Sequence, residues 1–184
     1  QIHERFYKGY RTVKLPHKFK IATGGCPNNC VKPDLNDVGI IGQLIPVFDS
    51  EKCRGCNVCQ IAKNCPMKAS EVVDGVLHRD ETICNHCGRC VGKCPFGAIS
   101  EGTPGYKLTI GGRWGKKVAQ GRPLSKIFTS EAELLDTVEA AILLFREQGV
   151  AGERFADMIA RIGFEEVERQ LLSKEILNRK QEII

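Results

Sequence analysis

Ten cysteines dominate the chemistry that this sequence offers, and eight of them fall into two similar runs. The first run, at residues 53 to 66, reads CRGCNVCQIAKNCP, and the second, at residues 84 to 95, reads CNHCGRCVGKCP. In each run three cysteines stand at every third position, and a fourth cysteine precedes a proline. Three thiols at this spacing lie on one tight loop and can bind one face of a 4Fe-4S cluster. The internal repeat therefore predicts two 4Fe-4S clusters.

The fourth cysteine of each run begins a separate stretch of chain, so it is expected to bind the cluster of the other run. This crossing gives two ligand sets, which are Cys53, Cys56, Cys59 and Cys94 for one cluster, and Cys84, Cys87, Cys90 and Cys65 for the other. Five residues separate the last two cysteines of the first run, and three separate those of the second. The longer spacing predicts a longer turn or a helix before Cys65.

Zinc binding and disulfide pairing fit the eight cysteines less well than clusters do. A zinc site uses two spaced pairs rather than runs of three, and disulfides need an oxidising compartment. The chain has no signal-peptide pattern and no apolar run long enough to cross a membrane, so a cytoplasmic location is expected. His86 lies between two cysteines, and we interpret it as a polar loop residue rather than a ligand.

The charge of the chain does not by itself indicate a nucleic-acid partner. The 184 residues include 27 Lys and Arg against 22 Asp and Glu, a formal net charge of +5. Bound clusters with their thiolates would lower this value. We therefore expect no nucleic-acid partner.

The remaining two cysteines, Cys26 and Cys30, lie in the stretch ATGGCPNNCVKPDLND, from residue 22 to residue 37. Two thiols do not complete a four-cysteine cluster. The pair is therefore either a structural pair of thiols in a Gly-Pro-Asn turn, or part of a metal site whose other ligands lie outside this chain.

Two lysines just before this pair could bind an anion. In the segment HKFKIAT, strand alternation places Lys18 and Lys20 on one face and Phe19 and Ile21 on the other. Two adjacent ammonium groups facing an enclosed site would attract an anion, and could supply protons to it. The alternative is a solvated strand face.

Strands and helices are predicted around these candidate residues. The runs VFD and VVDGVLH, before and between the cysteine repeats, are typical of strands, and YKLTIGGRWGKK from residue 106 predicts a strand ending in a glycine turn. A helix is predicted from a capping box at Ser130 and Glu133 to Gly149. Two more helices are predicted, over ERFADMIARIG and from residue 164 to residue 180.

Residues 15 to 42, LPHKFKIATGGCPNNCVKPDLNDVGIIG, closely resemble the sirohaem-binding half of the sulfite and nitrite reductase family. In that family a C-x5-C pair and a later C-x3-C pair hold one cluster, and the last cysteine also bridges to the sirohaem iron. The resemblance places Cys26 and Cys30 in the second pair, with Cys30 as the bridge. It assigns Lys18 and Lys20 to substrate binding. No cysteine precedes Cys26, so we expect this chain to be the C-terminal piece of a longer reductase subunit.

The family resemblance extends over most of the chain. The glycine-rich strand end of the family lies near sirohaem, which implies that Arg113 or Lys116 pairs with its carboxylates. Residues 46 to 103 resemble the bacterial two-cluster ferredoxin module. Such an insertion is found in the anaerobic and the dissimilatory branches of the sulfite reductases, which this chain resembles most.

These observations predict an α+β fold, consisting of a partial sirohaem and 4Fe-4S half-domain with an inserted ferredoxin-like domain. The expected boundaries are 1–45 and 105–184 for the two pieces of the half-domain, and 46–104 for the insertion. The resemblance implies six-electron reduction of sulfite to sulfide at sirohaem, with electrons relayed from a donor protein or subunit and other reductase subunits as partners. This piece alone is expected to be inactive. The alternatives are an electron-transfer protein without a substrate and a nitrite reductase of the same fold.

Overall fold

The computed structural model describes residues 1–184, which form two compact units. The first unit contains Gln1–Gly24, Asn29–Ile41 and Tyr106–Ile184. The second unit contains Gly25–Asn28 and Gly42–Gly105, and it therefore includes both cysteine runs. The chain enters the second unit twice, at Gly25 and at Gly42, and returns to the first unit each time.

Six strands are present: β1 (Ile21–Gly24), β2 (Val38–Pro46), β3 (Ser70–Val73), β4 (Val76–Arg79), β5 (Gly102–Ile110) and β6 (Arg122–Phe128). Four of them form one sheet in the order β1-β2-β5-β6. In this sheet β1 and β2 are parallel, whereas β5 and β6 are antiparallel with a register shift between Lys107 and Thr109. The strand predicted from residue 106 is thus confirmed, but it begins earlier, at Gly102.

The helical elements are a π-helical turn at His3–Lys8, a 3-10 turn at Pro33–Leu35, α1 (Gln60–Asn64), α2 (Glu131–Gln148), α3 (Phe155–Ile162), α4 (Phe164–Ser173), a 3-10 turn at Glu175–Arg179 and α5 (Lys180–Ile183). The mixture of helices and sheet confirms the predicted α+β class. None of these helices is both long and apolar enough to cross a membrane.

The longest helix, α2, forms the centre of the first unit's core. Ser130 caps it by accepting a hydrogen bond from the Glu133 amide at 3.4 Å, as the capping box predicted. The apolar residues Leu134, Val138, Ile142 and Phe145 are buried, and so are Ala140, Ala141, Leu143 and Leu144 on the other faces. The helix is therefore enclosed on nearly all sides between residues 134 and 145, rather than on one face only.

The helix predicted from residue 164 to residue 180 is interrupted. Lys174 adopts a left-handed conformation with φ of 59°, which ends α4 at Ser173. A 3-10 turn follows, and it buries Ile176 in the core of the first unit. The apolar spacing of this stretch was correct, but a single helix could not follow the change of direction at Lys174.

In the second unit, β3 and β4 form the hairpin that VVDGVLH predicted. Asp74 and Gly75 form its turn, and both have positive φ, as a two-residue hairpin turn requires. The run VFD is not a strand, because β2 ends at Pro46. Two of its amides still bond to the backbone, Val47 N to Glu101 O at 3.1 Å and Asp49 N to Ala98 O at 2.9 Å.

Candidate functional site

The second cysteine run and the last cysteine of the first run line one small cavity in the second unit. Cys84, Cys87 and Cys90 share this cavity with Cys65, and all four residues are half-buried. The loop can curl around the cavity because His86 and Gly88 both have positive φ. A Cβ at Gly88 would lie 2.6 Å from the side chain of Leu44, so only glycine fits there. We call these four cysteines the second cage.

Two cysteines of the first run lie against a small apolar cluster. Ile61, Leu77 and Ile99 form this cluster, and Cys53, Cys59 and Cys94 are among the residues that pack on it. The helix α1 begins directly after Cys59 and ends directly before Cys65, so the five-residue spacing is one short helix, as predicted. We call Cys53, Cys56, Cys59 and Cys94 the first cage.

The chemistry of the second cage fits an iron-sulfur cluster. Burial raises the pKa of the Cys84 and Cys90 thiols, so neither is a thiolate at neutral pH without a metal. Bound iron removes these protons, because a coordinating thiol is deprotonated outright. Four half-buried sulfurs around one cavity are the kind of donor set that a 4Fe-4S cluster requires.

Three charged or polar side chains lie beside the second cage. Arg79 and His86 both line its cavity. Glu81 joins them, because it accepts a hydrogen bond from Arg79 Nε at 2.6 Å and lies 3.0 Å from His86 Nε2. His86 is buried, and its backbone oxygen accepts a hydrogen bond from the Leu44 amide at 2.9 Å. Ligand atoms of Glu81, Cys84 and His86 lie within 4.8 Å of one another, so a metal could reach all three.

Cys26 and Cys30 lie in the loop between β1 and the 3-10 turn at Pro33–Leu35, and both residues are exposed. Asn29, which precedes Cys30, has a left-handed backbone with φ of 55°. Its Nδ2 donates to the buried carboxylate of Asp34 at 2.7 Å. Gln120 Nε2 donates to the other oxygen of Asp34 at 2.6 Å. Asp34 thus connects the residue before Cys30 to the glycine-rich loop that follows β5.

The segment that contains the two lysines is held by Asp37. The Asp37 carboxylate is fully buried and accepts a hydrogen bond from the Lys20 amide at 3.0 Å. Arg154 Nη2 donates to both Asp37 oxygens at 3.0 Å. The backbone oxygen of Asp37 also accepts a hydrogen bond from the Gly111 amide at 3.0 Å. One buried residue therefore organises the lysine segment and the end of β5.

Lys18 and Lys20 are exposed, and Phe19 between them is half-buried. Phe19 packs against Phe155 and Phe145, with ring centroids 5.1 Å and 5.8 Å apart. The burial alternates as predicted, although β1 itself begins only at Ile21. Lys20 lies at the edge of a cleft of about 680 Å³ in the first unit, and no Asp or Glu lines this cleft. Cations without nearby carboxylates favour the binding of an anion.

The two cations after β5 lie in different surroundings. Arg113 Nη1 donates to Asp157 Oδ1 at 2.8 Å, and only 17% of the Arg113 side chain is exposed. Lys116 is exposed in the same loop. The loop packs closely, because a Cβ at Gly112 would lie 2.1 Å from the backbone oxygen of Asp34. Any carboxylate that bound Arg113 would compete with Asp157.

Several residues around the candidate sites were not identified from the sequence. Asp34, Asp37 and Arg154 hold the two loops of the first unit, and Arg79 and Glu81 flank the second cage. The stretch PDLND offered one signal, because two acidic residues directly after a cysteine pair are candidates for holding its loop. No spacing rule connects Asp37 to Arg154, which is 117 positions away.

A family model and several known proteins match this chain over most of its length. The model of the nitrite and sulphite reductase 4Fe-4S domain matches residues 1–180. The coenzyme F420-dependent sulfite reductase of Methanocaldococcus jannaschii is 33% identical over 173 residues, which are 91% of this chain and 27% of that protein. An uncharacterized ferredoxin of the same organism is 28% identical over 163 residues, or 85% of this chain and 89% of that protein.

The crystal structure of dissimilatory sulfite reductase I has a similar fold. Its TM-score is 0.60 at 21% identity, over 90% of this chain and 46% of that chain. The first three curated relatives are all longer than this chain, which covers between 27% and 48% of their length.

Proposed function

Since the chain belongs to the nitrite and sulphite reductase 4Fe-4S domain family, as its sequence predicted, we propose that it forms part of a sulfite reductase subunit. In this subunit sulfite is reduced to sulfide at sirohaem. The two cages in the second unit hold 4Fe-4S clusters and relay electrons from a donor protein or subunit. The second unit takes the part of an inserted two-cluster ferredoxin domain.

The observation that carries the electron-relay proposal is the cavity of the second cage. Cys65 belongs to the first run, yet it lines the same cavity as Cys84, Cys87 and Cys90. This placement supports the crossed ligation of two-cluster ferredoxins, in which each run supplies one ligand to the other cluster. Cys94 packs on the same apolar cluster as Cys53 and Cys59, and Cys90 packs on it as well. The reciprocal crossing therefore rests on the sequence pattern of the two runs.

The third cluster and sirohaem belong to the proposal for the loop that contains Cys26 and Cys30. These two cysteines would supply half of a four-cysteine ligand set, and Cys30 would also be a ligand toward the sirohaem iron. The exposed positions of both thiols suit ligands that meet a partner group from outside this chain. Sirohaem supplies the iron at which sulfite loses its oxygens, with six electrons and the accompanying protons needed to reach sulfide.

The lysines act on the substrate in this proposal. Lys18 and Lys20 carry ammonium groups that bind the sulfite oxygens and donate protons as water leaves. The buried bond from Asp37 to the Lys20 amide fixes the backbone from which Lys20 extends. Arg113 and Lys116 are proposed to pair with sirohaem carboxylates, for which Arg113 would have to exchange Asp157 for the new partner.

The test compares the full-length protein, purified anaerobically, with its Cys30→Ser variant. We expect sirohaem absorption bands and iron for three clusters in the full-length protein, and loss of the third cluster and of sulfite reduction in the variant. A Cys→Ser change at Cys84 serves as the matched control, because it should disturb a relay cluster and leave sirohaem absorption in place. Full-length protein without sirohaem bands would contradict the reductase proposal.

A second candidate function is electron transfer without a substrate. One observation favours it, which is that the relative named a ferredoxin matches this chain over 89% of its own length. The two candidates differ in sirohaem content and in sulfite-dependent oxidation of a reduced donor. Two clusters and no sirohaem in the full-length protein would support the second candidate. Comparing the rates at which the full-length protein reduces nitrite and sulfite would decide which anion is the substrate of the reductase.

A further inference from the structure

Arg79 lies at the wall of the second cage and is the last residue of β4. Its side chain is 19% exposed, so its charge is largely removed from water. Arg79 Nη1 donates to the backbone oxygen of Pro46 at 3.1 Å, and Nε donates to Glu81 at 2.6 Å. These two hydrogen bonds, to Pro46 and to Glu81, therefore fix the position of the guanidinium.

A fixed positive charge beside a cluster changes the energy of adding an electron. The four thiolates and the iron-sulfur core become more negative by one charge on reduction, and a nearby cation stabilises that state. The charge of Arg79 cannot be lost by deprotonation. Its low exposure weakens the screening by water and salt that would otherwise reduce the effect.

Glu81 acts in the opposite direction. Its carboxylate bonds to Arg79 and to His86, so a negative charge also lies close to the second cage. Hydrogen bonds from Arg79 and His86 oppose the effect of burial and lower the pKa of Glu81. Glu81 remains charged at neutral pH and partly offsets the field of Arg79.

We propose that Arg79 raises the reduction potential of the cluster held by Cys65, Cys84, Cys87 and Cys90, and that Glu81 limits this increase. The inference depends on the proposed function, because it requires a cluster in the second cage. Arg79 is a positioning residue for electron flow, since it sets how readily this cluster receives an electron relative to the cluster of the first cage.

The experiment is a potentiometric titration followed by electron paramagnetic resonance, on the full-length protein with its clusters in place. Each step transfers one electron from a reduced mediator dye to a cluster, with no bond made or broken. The variants are Arg79→Gln, Arg79→Lys and Glu81→Gln. Arg89→Gln is the matched control, because Arg89 lines the same cavity but is exposed to water.

We expect Arg79→Gln to lower one of the two cluster potentials and Glu81→Gln to raise the same one. Arg79→Lys keeps the charge, so its potential should stay near that of the wild type. Arg89→Gln should cause a smaller shift than Arg79→Gln because solvent screens its charge. Opposite shifts from two neighbouring residues are not expected from a general loosening of the fold.

The inference would be overturned if Arg79→Gln left the potential unchanged or raised it, or if Glu81→Gln lowered it. If Arg79→Gln did not retain iron, the direction in which Glu81→Gln shifts the cluster potential would be the test of the inference. A wild-type protein without clusters in the iron and sulfide count would instead contradict the proposed function. The two failures are therefore distinguishable.

Discussion

Asp37 and Arg154 form a buried ion pair in which one guanidinium nitrogen lies 3.0 Å from both carboxylate oxygens. The Asp37 side chain has no exposure, and that of Arg154 is 12% exposed. The same carboxylate accepts the Lys20 amide. The pair thus connects the beginning of α3 to the segment that carries the two candidate substrate lysines.

Asp37→Ala should destabilise the protein strongly, because it leaves the Arg154 charge buried without a partner. We expect a loss of about 3 to 5 kcal/mol in the free energy of unfolding, measured by anaerobic urea denaturation. Asp157→Ala is the control, since it removes the more exposed partner of Arg113 and should cost about 1 kcal/mol or less. If the free energy of unfolding fell equally in the two variants, the buried pair would contribute no more to stability than the exposed one. Adding Arg154→Met to Asp37→Ala should recover part of the loss.

Glu139 should make stability depend on pH in the acid range. Burial by itself would raise the pKa of Glu139, but hydrogen bonds from Lys180, Tyr10 and Arg5 lower it from 4.5 to about 2. A lowered pKa in the folded state means that the stabilisation is present above about pH 4.5 and is lost as the pH falls toward 2. The loss is about 3 kcal/mol at most.

The measurement for Glu139 is the difference in urea midpoint between the wild type and Glu139→Gln, at each pH from neutral to acid. Taking the difference removes effects that both proteins share, such as the loss of clusters in acid. We expect the difference to be largest at neutral pH and to shrink below about pH 4.5, as the wild-type carboxylate is protonated. A difference that is constant with pH would contradict this role for Glu139.

Asp34→Ala should weaken the metal site at Cys30 without affecting the two cages of the second unit. The substitution removes the carboxylate that accepts hydrogen bonds from Asn29 and Gln120, so the side-chain link between the loop before Cys30 and the glycine-rich loop is lost. The backbone bond from the Gly121 amide to the Asp34 oxygen remains. Loss of such outer contacts typically lowers metal affinity, here by about 10-fold. Iron counts on the full-length protein, with Asn36→Ala as a control in the same segment, measure the effect. A normal count of three clusters in Asp34→Ala would contradict it.

Lys20→Gln should slow sulfite reduction by the full-length protein, because it removes a cation and a proton donor at the edge of the cleft. We expect a decrease in kcat/KM of about 100-fold. Lys14→Gln changes another exposed lysine on the same segment and should have little effect. Steady-state rates at several sulfite concentrations separate kcat from KM. If both variants behaved like the wild type, Lys20 would belong to a solvated surface.

The crossed ligation predicts which cysteines act together. Cys65→Ser and Cys87→Ser should perturb the same cluster signal in electron paramagnetic resonance, although these residues belong to different runs. Cys94→Ser and Cys56→Ser should perturb the other signal. The same signal changing for Cys65→Ser and Cys56→Ser would instead show that each run binds its own cluster.

Sequence patterns predicted the features that depend on neighbouring residues. The hairpin turn at Asp74 and Gly75, the cap at Ser130 and the helix before Cys65 each follow from local backbone preferences, and each is present. The cysteine spacing also predicts two ligand sets, because a three-residue period places thiols on one loop, and these sets stay a prediction. What these patterns could not show is which distant side chains complete a site.

The features that were missed or wrong depend on tertiary structure. Arg154 reaches Asp37 across 117 positions of the sequence, so no local pattern connects them. Arg79 belongs to no motif of the sequence, and only the fold places it beside the second cage. The break at Lys174 overrides a continuous apolar spacing because Ile176 must turn back into the core.

The position of Cys65 affects the order of events during synthesis. This residue leaves the ribosome ahead of the whole β3–β4 hairpin, whereas its three companions in the second cage follow that hairpin. A nascent chain that stops before Cys84 therefore lacks three of the four cysteines of the second cage. If this cage binds a cluster as proposed, its ligand set is complete only after the second run has emerged, so the growing chain would not load one repeat at a time.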